Sequence, residues 1–372
     1  MRKTEILLIG FFILLLFLNL SVSRGTTSLN TGRQLKLEKV GHIDHYAKNV
    51  RVTGDLAYVL ADLAGQNRII LKIYDISNLT EPVEVGRYDD GSSLCHSFEL
   101  KDSFIYIADH YVDGLEIIDV QDPFNPTLLG RFNEGQGHAG SVFVEGNVTY
   151  LADTEDGLEI IDTSNASNPV ELGRYYNNSD VHNVHVADNI AYLCEIDRLE
   201  IVNVSIKSSP VSLTALEMQG FVNAVTVKGK LAYVTTDEEG LVIINVTDPF
   251  HPAKIAQLDY GGSPVGIQIV EGIAYLSDYT DGLKVINITD PTNPVEIGEY
   301  DDGGAPLYLY VVDNLAYVAD QLQGVEIIQL WEIESSSITA TPGFELSLIF
   351  AYLVSFQILK DVKARKDQTN DN

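Results

Sequence analysis

Between residues 35 and 333 the sequence has almost no helical periodicity, and its 372 residues include only two cysteines, two methionines and one tryptophan. The missing 3.6-residue pattern excludes a helical core from a stretch long enough for one large domain or two ordinary ones. Two cysteines exclude a disulfide scaffold. Cys95 and Cys194 read as buried thiols rather than a bridge, because they fall in non-adjacent units of the chain. Basic residues are scarce, 24 against 53 acidic, for a formal charge of −29. Such a surface repels nucleic-acid phosphates and anionic headgroups, so neither is a partner for the main domain. No HExxH, paired CxxC, calcium loop, nucleophile elbow, phosphate loop or dinucleotide fingerprint occurs. The common catalytic signatures are therefore unrepresented.

Long apolar runs are confined to the ends. Residues 1–25 carry Arg2 and Lys3, the uncharged run Ile6–Leu18, and small residues around Ser21, Ser23 and Gly25. That is the pattern of a secretory signal peptide, with an uncleaved anchor as the alternative, and it predicts an exported domain. Residues 26–34 read as a linker, and 334–343 as a second one. Near the other end the uncharged run Leu346–Leu359 would span about 21 Å as a helix, short of the roughly 30 Å hydrocarbon core. Lys360, Lys363, Arg365 and Lys366 follow it, which favours a membrane anchor over 344–366, basic side inward, against a terminal helix packed on the domain. Residues 367–372 form a polar tail. Pro342-Gly343-Phe344, the apolar segment and the basic cluster together resemble the archaeal PGF-type C-terminal sorting signal, which implies cleavage and lipid anchoring.

A tyrosine-bearing phrase recurs through the middle of the chain: "LAYVLAD", "FIYIAD", "VTYLAD", "AYLCE", "AYVTT", "AYLSD", "AYVAD". Its tyrosines are Tyr58, Tyr106, Tyr150, Tyr192, Tyr233, Tyr275 and Tyr317, about 42 residues apart, a period that fits four short strands with turns. Each unit divides into strands A to D, as in "SFELKDS", "FIYIADH", "GLEIIDV" and "PTLLGRF" of the second. The prediction is an all-β, seven-bladed β-propeller over residues 35–333. The last unit stops after its C strand, "GVEIIQLW", while the N-terminal "LKLEKVGHID" resembles a D strand. It should complete the last blade and close the ring, removing the sheet edges that invite aggregation.

"DGLEIIDVQDPFNPTLLG", "DGLEIIDTSNASNPVELG" and "DGLKVINITDPTNPVEIG" resemble the LVIVD-repeat family of β-propellers. The resemblance implies the propeller fold and an extracellular or cell-surface setting, with little about activity. Every part of the phrase also has a local structural reason. Gly114, Gly157, Gly240, Gly282 and Gly324 permit a left-handed entry to strand C. Asp75, Asp119, Asp162, Asn203, Asn245 and Asn287 close it by bonding forward to backbone amides, and prolines deliver the chain to D. The phrase is thus scaffold, and function belongs to residues that vary between units. Sequons at Asn78, Asn147, Asn165, Asn177, Asn203, Asn245 and Asn287 predict surface glycans. Three of these asparagines, Asn203, Asn245 and Asn287, also stand in the turn-forming slot.

In a propeller the D–A and B–C loops share one face. At the start of A lie Tyr46 and Lys48, His96, His138, then Asp180, His182 and Asn183, then Phe221 and Asn223; at the end of B lie Asp109, Asp153, Glu195, Asp278 and Asp320. The rim residues His96, His138, Asp180, His182, Asn183 and Asn223 are the candidate ligand-binding set. The protein is expected to be a membrane-tethered, non-enzymatic binding or adhesion module for an extracellular protein or glycan. The alternative is a metal-dependent enzyme or metal-binding protein, with a divalent ion held by His96, Asp109, His138, Asp153, His182 and Glu195, since imidazole and carboxylate suit such ions. Against that stands the simpler use of a carboxylate ending strand B, to cap the B–C turn.

Overall fold

A computed structural model describes residues 34–62, 68–89, 91, 95–109, 114–133 and 138–333, with only the backbone given for Cys95 and His96. The signal-peptide, most of the first linker, and the second-linker, anchor and tail segments lie outside the described residues. The described chain forms 28 strands in seven antiparallel four-stranded sheets. The inner A strands are Ala47–Thr53, Cys95–Lys101, Ala139–Glu145, Asn183–Ala187, Val222–Lys228, Pro264–Val270 and Pro306–Val312, each touching the next around a closed ring. This is the seven-bladed propeller that the tyrosine period predicts.

Strands B and C are buried along nearly their whole length because a neighbouring blade covers each face. Their sequences are accordingly rich in Val, Ile, Leu and Ala without strict alternation, interrupted by the repeat tyrosine in B and, in six C strands, by one buried charged residue: Lys72, Glu116, Glu159, Glu200, Lys284 or Glu326. The core is divided into seven clusters, each made by two adjacent blades. Strand D is the outer edge and half-exposed, as in Val83–Tyr88 and Val170–Tyr175.

The N-terminal strand Gln34–Ile43 pairs antiparallel with Gly324–Ile333 and supplies the missing D strand of the last blade. Gln34 lies opposite Ile333, so the chain enters and leaves the propeller on the face that carries the A–B and C–D turns.

The recurring phrase has the geometry its composition predicts. Gly157 and Gly282 enter strand C with φ near 80°, at +79° and +80°. Asp119 Oδ1 accepts the Gln121 amide at 2.8 Å, and Asn245 Oδ1 accepts that of Thr247 at 2.9 Å. A second turn of the same kind follows three residues later, where Asp122 receives Phe124 and Asp248 receives Phe250. The carbonyl at the tip of this double turn sits against a glycine in strand D of the preceding blade. Gly86 faces Pro123 O, Gly130 faces Ala166 O and Gly173 faces Lys207 O, so closely that a Cβ has no room. The "LG" ending the phrase is therefore an inter-blade seat.

Candidate functional site

Each of the seven blades opens on strand A. In six of them the ladder to strand B skips one residue, leaving Lys48, His96, Gly140, Asn223, Val265 or Leu307 as the extra one. In the fourth blade His182 occupies the same level, its amide bonding to Cys194 O at 2.9 Å. A β-bulge re-aims one side chain and leaves the ladder on either side intact. Around the axis, Lys48, Gly140, His182, Asn223, Val265 and Leu307 line a recess of about 420 Å³, together with Phe221 and Gln321 among others.

Two candidate residues, His182 and Asn223, line this mouth. The His182 ring packs on Phe221 with centroids 4.6 Å apart. Burial lowers its pKa against the opposing pull of Asp180 and Glu195, and its Nε2 is buried with no hydrogen-bond partner among the described residues. Asn223 Nδ2 donates to Asp237 Oδ1 at 2.8 Å and to Pro264 O at 3.1 Å, joining the fifth blade to the sixth. Asn183 lies deeper, bridging Ser141 and the Val225 amide. Asp180 is exposed on its loop and lies outside the recess. His138 also lies outside it, with Nδ1 3.6 Å from Glu155 Oε1. The backbone of His96 takes the bulge position of its blade.

The carboxylates ending strand B hold turns. Asp153 Oδ1 accepts the amides of Glu155 and Asp156 at 2.8 and 2.9 Å. Asp278 Oδ1 accepts those of Ser263, Thr280 and Asp281, each at 3.0 Å. Asp320 receives Ala305, Leu322 and Gln323 in the same way. Glu195 is fully buried, bonded to Arg198 Nε at 2.5 Å and Asn177 Nδ2 at 2.8 Å. Asp109 is buried as well. Among the described residues no three His, Cys, Asp or Glu side chains converge on a point that would hold a metal ion. Cys194 is a buried free thiol whose pKa burial raises, as the thiol reading expected.

Below the mouth the channel narrows to a cavity of about 270 Å³ that residue-by-residue reading of the loops does not reveal. One layer of it comprises Arg51, Glu99, Phe143, His185, Thr226, Gln268 and Tyr310, each directly opposite the repeat tyrosine of its blade. The sequence signal is simple: each stands seven positions before that tyrosine. Within the layer Gln268 is bonded to both backbone groups of Val311, and His185 packs on Phe143 at 4.6 Å. Burial pushes the His185 imidazole down to about 4, so it is neutral near pH 7.

A family model described as the LVIVD repeat matches residues 44–90, 96–134, 136–177, 219–259 and 261–302, together more than half of the chain. The fourth blade falls outside these matches, and it is the blade that contributes His182, Asn183 and His185 to the channel. Among solved structures, the computationally designed Ika8 protein is 11% identical with a TM-score of 0.57. The β-propeller domain of Myceliophteria thermophila Cps50 (Swd1) is 12% identical with a TM-score of 0.60. Each likeness covers 81% of this chain and 100% of the other, and at these identities it speaks to the fold alone. Comparison with curated proteins gives no match.

Proposed function

The chain belongs to the LVIVD-repeat family, and from that premise we propose that it is an exported, membrane-tethered propeller serving as a non-enzymatic binding module. Its partner is an extracellular protein or glycan, held at the D–A and B–C loop face. The observation that carries this reading is the mouth recess together with the aromatic side chains exposed around it. Tyr46, Tyr176, Phe221 and Tyr279 all stand on that face with more than a third of their surface open to solvent. Aromatic residues concentrate at recognition surfaces because they bury large areas at small entropic cost. Gln34 and Ile333 both lie on the opposite face, which supports a tether on that side and an outward-facing mouth.

The test is a saturation binding assay on cell surfaces and on an extracellular glycan array, using the purified protein. Phe221→Asp combined with Tyr279→Asp should abolish retention, and Phe250→Asp on the C–D face should leave it unchanged. Equal loss from both variants, or no saturable binding by the wild type, would refute the reading.

A further inference from the structure

The channel layer holds two full charges, and they are neighbours. Arg51 comes from the first blade and Glu99 from the second, with Nη2 3.5 Å from Oε2. Direct charge-assisted bonds between such groups close to about 2.7–2.9 Å, so this pair is in register without being locked together. The guanidinium is held from one edge, where Nη1 donates to Asn49 Oδ1 at 2.8 Å and Val50 O at 2.9 Å. Its carbon lies 5.8 Å from the Tyr310 ring centroid. Arg51 is thus fixed in place, while its second amino group, Nη2, makes only the long 3.5 Å contact to Glu99. Further round the layer stand Phe143 and the neutral His185 ring. A second cavity of about 250 Å³, lined by Arg51, Glu99, Tyr310 and the exposed Asp102, continues from the same two charges toward the A–B turn face.

We propose that this layer is a binding site for a small zwitterion, a free α-amino acid with an apolar or aromatic side chain. Arg51 receives the carboxylate, Glu99 receives the ammonium, and Phe143 and His185 flank the side chain. Charge balance decides between ligand classes. An anion on Arg51 would leave Glu99 uncompensated in a part-buried channel, and a cation on Glu99 would strand Arg51. A zwitterion keeps the layer neutral and replaces one loose 3.5 Å contact with two shorter ones. The cavity volume, about 270 Å³, lies just below the usual range for drug-sized ligands and suits a molecule of this size. The site lies deeper in the channel than the mouth surface and uses other side chains for its charges, so neither reading depends on the other.

The experiment is titration calorimetry on the purified full-length protein with L-phenylalanine, L-leucine, N-acetyl-L-phenylalanine and L-phenylalaninamide. At least one free amino acid should bind once per chain, and both one-charge analogues of phenylalanine should bind at least tenfold more weakly than it. In Glu99→Gln the preference should invert, with N-acetyl-L-phenylalanine bound at least as well as the free amino acid. Binding of neither free amino acid to the folded wild type would overturn the proposal and leave Arg51–Glu99 as a structural bridge. Equal binding of the analogues would overturn it too.

Discussion

Lys39 Nζ lies 2.6 Å from Glu326 Oε1, an ion pair between the first strand of the propeller and the last. It fastens the seam where the ring closes.

Burial and the neighbouring Asp302 push the Glu326 carboxyl up to about 7, against the pull of Lys39. A carboxyl raised above its ordinary value contributes stability that is complete below about 4.5 and is lost as pH rises through its folded value. Without Lys39 the buried carboxylate loses its compensating charge, so Lys39→Ala should cost little at pH 5 and about 1–3 kcal/mol at pH 8. Urea denaturation at the two pH values measures the difference. A cost independent of pH would show that the strand is held by its backbone ladder alone.

The glycine seats make a second prediction. In strand D, Gly173 faces Lys207 O of the next blade with no room for a side chain. Thr214 and Ala256 hold the equivalent positions in the fourth and fifth blades. Gly173→Thr should therefore destabilise by about 1–3 kcal/mol through overpacking. Ala256→Gly should cost less than about 1 kcal/mol, chiefly through backbone freedom. Matched denaturation curves give both values.

At strand-C ends Asn203, Asn245 and Asn287 hold turns and also stand in sequons, so substitution separates the turn from the expected glycan. Asn245 Oδ1 accepts the Thr247 amide, and Asp162 does the same for Ser164 in its own blade. Asn245→Asp should keep the turn and full stability while abolishing any glycan. Asn245→Ala should lose about 0.5–1.5 kcal/mol. Melting temperatures of the two variants decide the matter, and equal losses would assign the residue to the glycan.

The frame was legible because repetition reports it seven times: the tyrosines set the register, and "LKLEKVGHID" matched the missing strand. The site was only partly legible. His138 precedes its strand just as His182 does, yet the bulge in its blade falls on Gly140, so His138 meets Glu155 outside the recess. A bulge leaves no composition signal, and the two residues from 140 back to 138 separate channel from loop. Asp153 and Asp278 were ambiguous because the group that ligates a cation also accepts turn amides. Arg51 and Glu99 went unread because their shared position, seven before each repeat tyrosine, holds a different residue type in every blade.

The level at which strand A opens, bulged in six of the seven blades, gives the protein a short text independent of its scaffold. Read round the axis, the seven positions spell Lys48, His96, Gly140, His182, Asn223, Val265, Leu307. In the six bulged blades the letter stands off the ladder, so a single codon change can rewrite it while the hydrogen bonds on either side persist. Two chains with the same repeat and different words would share a shape and differ in the side chains that line the mouth. Relatives are then best sorted by those seven letters, which overall identity averages away.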